Sequence, residues 1–203
     1  MSRLTHLKFN DRAPDAELLN TEGKSCKLSS LWKKQALILA FARHFGCPQC
    51  KEMVEMLVGA SKELDAHGLL LAIVTQGTPS EAKSFCRTFA PGKLCLSDPQ
   101  RKAYRAYALE RASLWGTFLS PRVLGSNLRL WREKGWRTEW PPRGQDAMQL
   151  AGTFVISPDG RIRLPYYYDN IADHPPVDLL LHGVMGMDWN QPFEGPVSSS
   201  LVE

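Results

Sequence analysis

One short stretch limits what this chain can fold into more than any other feature. An apolar run at residues 36–41 leads directly into two cysteines with C-x-x-C spacing, Cys47 and Cys50. Apolar residues then recur at helical spacing, namely Met53, Leu57, Ala60 and Leu64. This order predicts a buried strand, a turn and an amphipathic helix, with the first cysteine where the strand gives way to the helix.

The position of Cys47 favours a reactive sulfur. At the start of a helix, free backbone N–H groups and the positive end of the helix dipole stabilise a thiolate. Pro48 suits the first helical turn, because its missing N–H loses no hydrogen bond there. Arg43 adds positive charge nearby. We therefore predict redox chemistry in which Cys47 is a nucleophile exposed at the mouth of the helix, with Cys50 within its reach.

A lone C-x-x-C has two other interpretations. It can be half of a zinc site, which needs four ligands, or an inert buried pair. The chain has no second C-x-x-C, and four of its histidines are scattered without ligand spacing: His44, His67, His174 and His182. The strand–motif–helix context favours redox or cluster chemistry over both.

Length and composition predict the general class of the protein. The 203 residues suffice for one domain, residues 1–203, with a sizeable core. The apolar runs are too short to cross a membrane, and the N-terminus lacks an apolar signal-peptide stretch. The chain has five cysteines, an odd number, and their spacing is not typical of a small secreted domain held together by disulfides. We therefore expect a protein of the reducing cytoplasm. A net charge of +4 gives no case for nucleic-acid binding.

Strands and helices are predicted to alternate along most of the chain, among them a helix at 49–67, an apolar strand at 69–75 and a helix that begins with a capping box, Thr78 with Glu81. Residues 111–148 interrupt this rhythm and are rich in tryptophan and arginine. We expect a looped insertion that covers the sheet edge or the mouth of the site, with a partner or nucleic-acid surface as the alternative. A hairpin at 153–168 and a short helix follow, and the tail at about 188–203 is expected to be loosely ordered.

Several motifs together resemble one family. They are Phe41-Ala42-Arg43-His44-Phe45-Gly46-Cys47-Pro48-Gln49-Cys50, Leu96-Ser97-Asp98-Pro99, Gly152-Thr153-Phe154-Val155-Ile156-Ser157-Pro158-Asp159-Gly160 and Asp173-His174-Pro175-Pro176. They resemble the peroxiredoxin-like branch of the AhpC/TSA proteins, within the thioredoxin-like superfamily. The resemblance implies an α/β thioredoxin-like fold, a central mixed sheet flanked by helices, with an insertion before the C-terminal hairpin. It also implies an antioxidant oxidoreductase without a required cofactor, a thioredoxin- or glutathione-type reductant, a peroxide or protein disulfide as substrate, and possible homodimers.

The chain departs from this family at two places. Peroxiredoxins carry Pro-x-x-x-Thr/Ser-x-x-Cys around the reacting sulfur, whereas the matching positions here are Ala40 and His44 before Cys47. Thioredoxin relatives place a cis-proline before the strand that faces the C-x-x-C motif, and Gly152 stands there instead. We expect this glycine to leave the space opposite the two sulfurs open.

Three chemistries fit these residues. In thiol–disulfide exchange, Cys47 attacks, Cys50 resolves the mixed disulfide and Arg43 stabilises the anion. In peroxide reduction, Cys47 becomes a sulfenic acid, Arg43 holds a peroxide oxygen, and Cys50 condenses with the oxidised sulfur. Cys86 and Cys95 are alternative resolving thiols, although we expect them to be free core thiols. The third is a [2Fe–2S] cluster bound by Cys47 and Cys50 plus Cys86 and Cys95 or thiolates of a second subunit.

Overall fold

A seven-stranded mixed sheet organises the chain. The computed structural model describes residues 5–112, 120–183, 186 and 188–191. The strands are β1 (Glu17–Asn20), β2 (Ser25–Lys27), β3 (Ala36–Phe41), β4 (Leu69–Thr75), β5 (Leu94–Ser97), β6 (Gly152–Ile156) and β7 (Ile162–Tyr167). They lie in the order β2-β1-β5-β4-β3-β6-β7. This is the α/β thioredoxin-like arrangement expected from the sequence.

The two longest apolar runs form the centre of the sheet. Strands β3 and β4 pair in parallel from Ala36 opposite Leu69 to Phe41 opposite Val74. Every residue of β3 is buried, as expected for a strand that is covered on both faces. Strand β6 pairs antiparallel with the other side of β3, with Gly152 opposite Phe41. The end of β3 therefore lies in the middle of the sheet, and the C-x-x-C segment starts there.

Helices cover both faces of this sheet. They are α1 (Ser29–Trp32), α2 (Pro48–Gly59), α3 (Ser61–Ala66), α4 (Pro79–Phe89), α5 (Lys102–Ala106), α6 (Pro121–Lys134) and α7 (Val177–His182). Helix α4 begins with the capping box that its sequence predicts, Thr78 with Glu81. The single helix predicted at 49–67 is instead two helices that meet at Ala60, directly after Gly59. Glycine is a poor helix former, which explains the break there.

Alternating side chains of β3 supply two cores. Ile38 and Ala40 pack with residues of α2, α3, α4 and α7 on one face. Leu37, Leu39 and Phe41 pack with residues of α1 and α5 on the other. Helix α2 is therefore anchored by its apolar stripe, and its N-terminus is held at the end of β3.

The insertion is more regular than its composition suggested. We expected residues 111–148 to be looped, but 14 of them form helix α6, which begins at an N-cap, Ser120, and ends at Gly135 with a φ of 69°. The apolar residues that this helix buries, Val123 and Leu130, are seven residues apart, a helical spacing that the many arginines and tryptophans obscured. Residues 113–119 of the insertion lie outside the described residues.

The start of the predicted loose tail is fixed in the structure. Trp189 is buried and its indole N–H donates to the carbonyl oxygen of Leu180 at 2.8 Å. Asn190 Oδ1 accepts from the backbone N–H of Ala36 at 2.7 Å. Residues 188–191 thus contact the rest of the fold, in contrast to the loosely ordered tail that we expected, and residues 192–203 lie outside the described part. Within the described ranges, no helix is both long enough and apolar enough to cross a membrane.

Candidate active site

The two cysteines of the C-x-x-C motif lie at the start of helix α2. Cys47 is the N-cap residue, and Pro48 occupies the first turn as the sequence predicts. The carbonyl oxygen of Cys47 accepts from the backbone N–H groups of Cys50 at 3.1 Å and Lys51 at 3.3 Å. Cys47 therefore lies where the loop after β3 meets helix α2, next to the positive end of the helix dipole.

Arg43 joins both cysteines to the end of the insertion. Its buried guanidinium donates from Nη1 to Cys47 Sγ at 3.2 Å. Nε donates to the carbonyl oxygen of Gln149 at 2.9 Å, and Nη2 donates to that of Ala147. The backbone N–H of Arg43 donates to Cys50 Sγ at 3.3 Å. One residue thus contacts both sulfurs and holds them against the chain that leads into β6.

The environment separates the acidities of the two thiols. Burial raises the pKa of Cys47, but a hydrogen bond with the Cys50 thiol and the charge of Arg43 outweigh it and lower the pKa to about 6. Burial, followed by the hydrogen bond and charge of Cys47, raises the pKa of Cys50 well above its usual value. At neutral pH the pair therefore holds a thiolate at Cys47 and a thiol at Cys50, an arrangement suited to a nucleophile with a resolving partner.

A second group of polar residues, which the sequence did not reveal, surrounds the loop. Gln49 Oε1 lies 3.5 Å from Cys47 Sγ, and its Nε2 donates to Asn127 Oδ1 on α6 at 2.7 Å. The backbone N–H of Phe45 donates to Gln145 Oε1 at 3.0 Å. Asn127 and Gln145 are 80 and 98 residues after Cys47, and no local pattern marks them.

The insertion closes over the site. We define the lid as helix α6 together with residues 136–149. The backbone N–H of Glu139 donates to the carbonyl oxygen of Gly46 at 2.9 Å, and a Cβ at Gly46 would stand 2.5 Å from the carbonyl oxygen of Glu139. The side chain of Gln49 bonds to α6 as described above. The lid backbone therefore approaches the loop so closely that only glycine fits at position 46.

Cys47 is consequently buried, with 1 % of its surface exposed. The prediction that its sulfur is exposed at the mouth of the helix is wrong, because a lid formed by distant residues cannot be inferred from the motif. The two sulfurs still contact each other, so the prediction that Cys50 lies within reach of Cys47 agrees with the geometry.

The remaining cysteines take no part in this site. Cys86 on α4 and Cys95 on β5 form a disulfide with a Cα–Cα distance of 6.6 Å. They are therefore neither the free core thiols that we expected nor available as resolving partners or cluster ligands. Cys26 is free and half-buried on β2, at the far edge of the sheet from β3.

The space beside Gly152 is filled. A Cβ at Gly152 would stand 2.6 Å from Leu109 Cδ2 and 3.3 Å from the carbonyl oxygen of Tyr166. The glycine thus makes room for Leu109 rather than for a cluster, contrary to our expectation. With Cys86 and Cys95 bonded to each other, the [2Fe–2S] interpretation loses two of the four ligands that it named within the chain. Among the residues that the structure describes, no three His, Cys, Asp or Glu side chains are grouped to bind a metal ion.

Comparison with known proteins identifies the family. A sequence profile described as AhpC/TSA antioxidant enzyme matches residues 57–170, more than half of the chain. The chain belongs to the AhpC/TSA family. The matched region begins after Cys50, near the end of α2, and includes the lid, so membership does not depend on the C-x-x-C motif itself.

Relatives of this AhpC/TSA protein agree with the assignment. It is 29 % identical to the chloroplastic thioredoxin-like protein AAED1 of Arabidopsis thaliana, over 84 % of this chain and 71 % of the relative. It is 27 % identical to peroxiredoxin-like 2C of Bos taurus, over 85 % and 78 %. The crystal structure of peroxidoxin BcpB from Mycobacterium tuberculosis shares the fold with a TM-score of 0.60 and 17 % identity, over 82 % and 90 %. The protein is a thiol redox protein with a thioredoxin-like fold.

Proposed function

We propose that this AhpC/TSA protein reduces peroxides, with Cys47 as the nucleophile and Cys50 as the resolving thiol. The observation that carries this proposal is the Arg43 guanidinium 3.2 Å from a Cys47 sulfur that the lid covers almost completely. While the lid is closed, a thiolate in such a site can be reached by a small oxidant but not by a disulfide on the surface of another protein.

The proposed reaction has two chemical steps within the chain. The Cys47 thiolate attacks one peroxide oxygen, so an S–O bond forms, the O–O bond breaks, and the departing oxygen takes a proton from water. The Cys50 thiol then attacks the sulfenic sulfur, an S–S bond forms, and hydroxide leaves with the thiol proton as water. Arg43 provides the positive charge that the departing oxygen meets, in place of the hydroxyl that the family's motif carries at position 44.

The charges of the site set the order of these steps. The negative charge of Cys47 is one of the causes that raise the pKa of Cys50. Oxidation to a neutral sulfenic acid removes that charge, while the positive charge of Arg43 remains. The pKa of Cys50 therefore falls only after Cys47 has reacted. Cys50 then becomes the better nucleophile, so that Cys47 reacts with the peroxide first and Cys50 resolves the product.

Regeneration requires an external dithiol or two thiols. The disulfide between Cys47 and Cys50 takes two electrons from a thioredoxin- or glutathione-type reductant, the partners implied by the peroxiredoxin-like relatives. This exchange step needs the lid to open, because the sulfurs are buried. Thiol–disulfide exchange is thus the second half of the proposed cycle.

Mass spectrometry of the protein after one equivalent of hydrogen peroxide tests the proposal. We expect the wild type to form a disulfide between Cys47 and Cys50, and Cys50→Ser to accumulate a sulfenic acid at Cys47 that dimedone traps. Cys47→Ser should show neither product and no turnover with dithiothreitol as the reductant.

Cys26→Ser serves as the matched control, because this free thiol lies on the edge strand β2, which three strands separate from β3. It should behave as the wild type in every assay. A wild-type protein that leaves peroxide unreacted but is oxidised by hydroxyethyl disulfide would replace peroxide reduction with thiol–disulfide exchange as the activity.

A further inference from the structure

The amide side chain of Gln49 joins the reacting sulfur to the lid. Gln49 is fully buried, and its Oε1 lies 3.5 Å from Cys47 Sγ. Its Nε2 donates to Asn127 Oδ1 at 2.7 Å, and that oxygen also accepts from the Thr138 hydroxyl at 3.3 Å. We term the side chains of Gln49, Asn127 and Thr138 the amide relay. It runs from the buried sulfur through helix α6 to an exposed residue of the lid.

The hydrogen bonds of the amide relay have the direction that suits a protonated Cys47. A carbonyl oxygen can only accept, so Gln49 Oε1 is bonded to Cys47 only while the sulfur carries a proton. A thiolate has no proton to donate, and in a site shielded from water it is repelled by the partial charge of that oxygen. The pKa of Cys47 is about 6, so the thiolate predominates at neutral pH. The reactive form therefore needs a different arrangement of the relay.

Each member of the amide relay can reverse its hydrogen bond without leaving its place. A half-turn about the last side-chain bond exchanges the oxygen and nitrogen of an amide, so that Gln49 Nε2 donates to the sulfur and Oε1 faces Asn127. The same half-turn of Asn127 places its Nδ2 where Oδ1 was, with one hydrogen for Gln49 and one for Thr138. The hydroxyl of Thr138 then rotates from donor to acceptor. All three bonds are kept, in the opposite direction.

We propose that Gln49 is a further catalytic residue, whose amide reverses when Cys47 gains or loses its charge. Asn127 and Thr138 reverse with it. In the thiolate form, Nε2 of Gln49 donates to the sulfur beside the guanidinium of Arg43, so the anion has a second donor. In the thiol and in the neutral sulfenic acid, Oε1 accepts the hydrogen of the S–H or O–H group. The role in the sulfenic acid rests on the peroxide reduction proposed above, whereas the role in the thiolate does not.

Thiolate absorbance during a pH titration tests the role of Gln49. Gln49→Met keeps a buried side chain of similar length but removes the N–H donor, so we expect the pKa of Cys47 to rise from about 6 by about one unit. Gln145→Met is the matched control, because Gln145 also holds the loop but does so through the backbone N–H of Phe45. It should leave the pKa of Cys47 unchanged. Equal shifts in both variants, or none in Gln49→Met, would reduce Gln49 to a structural contact.

The side-chain amide resonances of Gln49 and Asn127 in ¹H–¹⁵N NMR spectra follow the reversal itself. In the wild type both should shift with the midpoint of the thiolate titration, at a pH of about 6, the pKa of Cys47. Cys47→Ser removes the titrating group and should abolish both shifts. In Gln49→Met the resonance of Asn127 should no longer follow the titration of Cys47, because the link between them is gone.

Two NMR results would overturn the inference. One is an Asn127 resonance that stays constant through the thiolate titration of the wild type. The other is an Asn127 resonance that still follows the titration of Cys47 in Gln49→Met. The shift would then report only the charge of the thiolate acting through space, without any reversal of hydrogen bonds.

Neither measurement requires turnover of a peroxide, so the inference and the proposed function can fail separately. A protein that leaves peroxides unreacted but whose two amides follow the thiolate titration would keep the role of Gln49 and refute peroxide reduction. Peroxide turnover with amides that do not respond to the thiolate would leave the proposed function standing and refute the amide relay.

Discussion

Arg43 is the residue on which the chemistry of the site depends most. Its guanidinium contacts Cys47 Sγ and donates to the carbonyl oxygens of Ala147 and Gln149. The same side chain therefore lowers the pKa of a thiol and holds the lid in place. Because the guanidinium is always charged and forked, it can do both at neutral pH, which a single ammonium group cannot.

Replacement of Arg43 should make the thiolate of Cys47 harder to form. In Arg43→Met we expect the pKa of Cys47 to rise from about 6, so that its reaction with hydrogen peroxide at pH 7 slows about tenfold or more. In the wild type the rate should rise as the pH increases through about 6 and then level off, since the thiolate reacts. Thiolate absorbance at 240 nm during a pH titration measures the pKa directly.

Arg43→Lys is the control that keeps a positive charge but lacks the several N–H donors of the planar guanidinium. It should keep the pKa of Cys47 closer to the wild-type value while it loses at least one carbonyl contact, which costs about 1–3 kcal/mol of unfolding free energy for each buried acceptor left unpaired. An unchanged thiolate titration in Arg43→Met would remove this residue from the mechanism.

At the scale of elements, the contact between the lid and the C-x-x-C loop decides access to the sulfur. The closest approach is at Gly46, where a Cβ would stand 2.9 Å from the carbonyl oxygen of Trp140 and nearer still to that of Glu139. Since both neighbours are backbone atoms, the lid must move as a whole to admit a side chain.

Gly46→Ala should open the lid. We expect iodoacetamide to alkylate Cys47 several-fold faster in this variant, as measured by mass spectrometry of the reduced protein. Gly125→Ala in α6 is the matched control, because a Cβ there meets nothing within 4 Å. This variant should stabilise the helix by about 0.5–1 kcal/mol and leave the alkylation rate unchanged. Equal rates in both variants would mean that the lid does not limit access.

The disulfide ties helix α4 to strand β5 within one core. Its removal in the double variant Cys86→Ala with Cys95→Ala should lower the free energy of unfolding by about 3 kcal/mol. The two cysteines are nine residues apart in sequence, and without the bond the unfolded chain gains conformational entropy. Peroxide turnover should not change. Thiol titration of the unfolded wild type should find only Cys26, Cys47 and Cys50. A count of five free thiols would show that the bond does not form in solution.

This disulfide also bears on the compartment. The expectation of a cytoplasmic protein assumed that all five cysteines are free thiols, and stable disulfides are uncommon in a reducing cytosol. The assumption does not hold for Cys86 and Cys95, so the cytoplasmic location stays a prediction without that support.

At the scale of the whole molecule, a buried sheet carries a lid whose helix α6 buries Val123 and Leu130 and whose contacts with the C-x-x-C loop are polar. Strands β3 and β4 contribute buried apolar residues to cores on both faces. The described contacts between the lid and the loop are chiefly hydrogen bonds, such as those from Glu139 to Gly46 and from Gln49 to Asn127. Hydrogen bonds of this kind contribute only about 1 kcal/mol each on balance, so the lid should open without unfolding of the sheet.

The urea dependence of Cys47 alkylation tests whether the lid opens without unfolding of the sheet. We expect the logarithm of the alkylation rate to rise with urea with a slope below about one third of the m-value for global unfolding, because opening of the lid exposes little surface. Tryptophan fluorescence supplies the global m-value in the same samples. A slope equal to that m-value would mean that the sulfur is reached only through complete unfolding.

The elements that were predicted well are those whose signals are local. The apolar runs of β3 and β4 and the capping box of α4 each lie within a dozen residues, and all appear in the structure. The lid was harder to predict, because the apolar spacing of α6 is diluted by arginine and tryptophan. Asn127 and Gln145 were missed altogether, since their polar side chains acquire meaning only beside Gln49 and Phe45.

The sequence by itself determined a thioredoxin-like sheet with Cys47 at the start of a helix and with Cys50 and Arg43 close to it in sequence. These features could be predicted because strand burial, helix capping and residue spacing are properties of short segments. Only the tertiary structure decided that Cys47 is covered, that Cys86 and Cys95 are bonded to each other, and that Arg43 donates to carbonyl oxygens of the lid. Each of these depends on which distant surfaces pack together, and packing is a property of the whole chain.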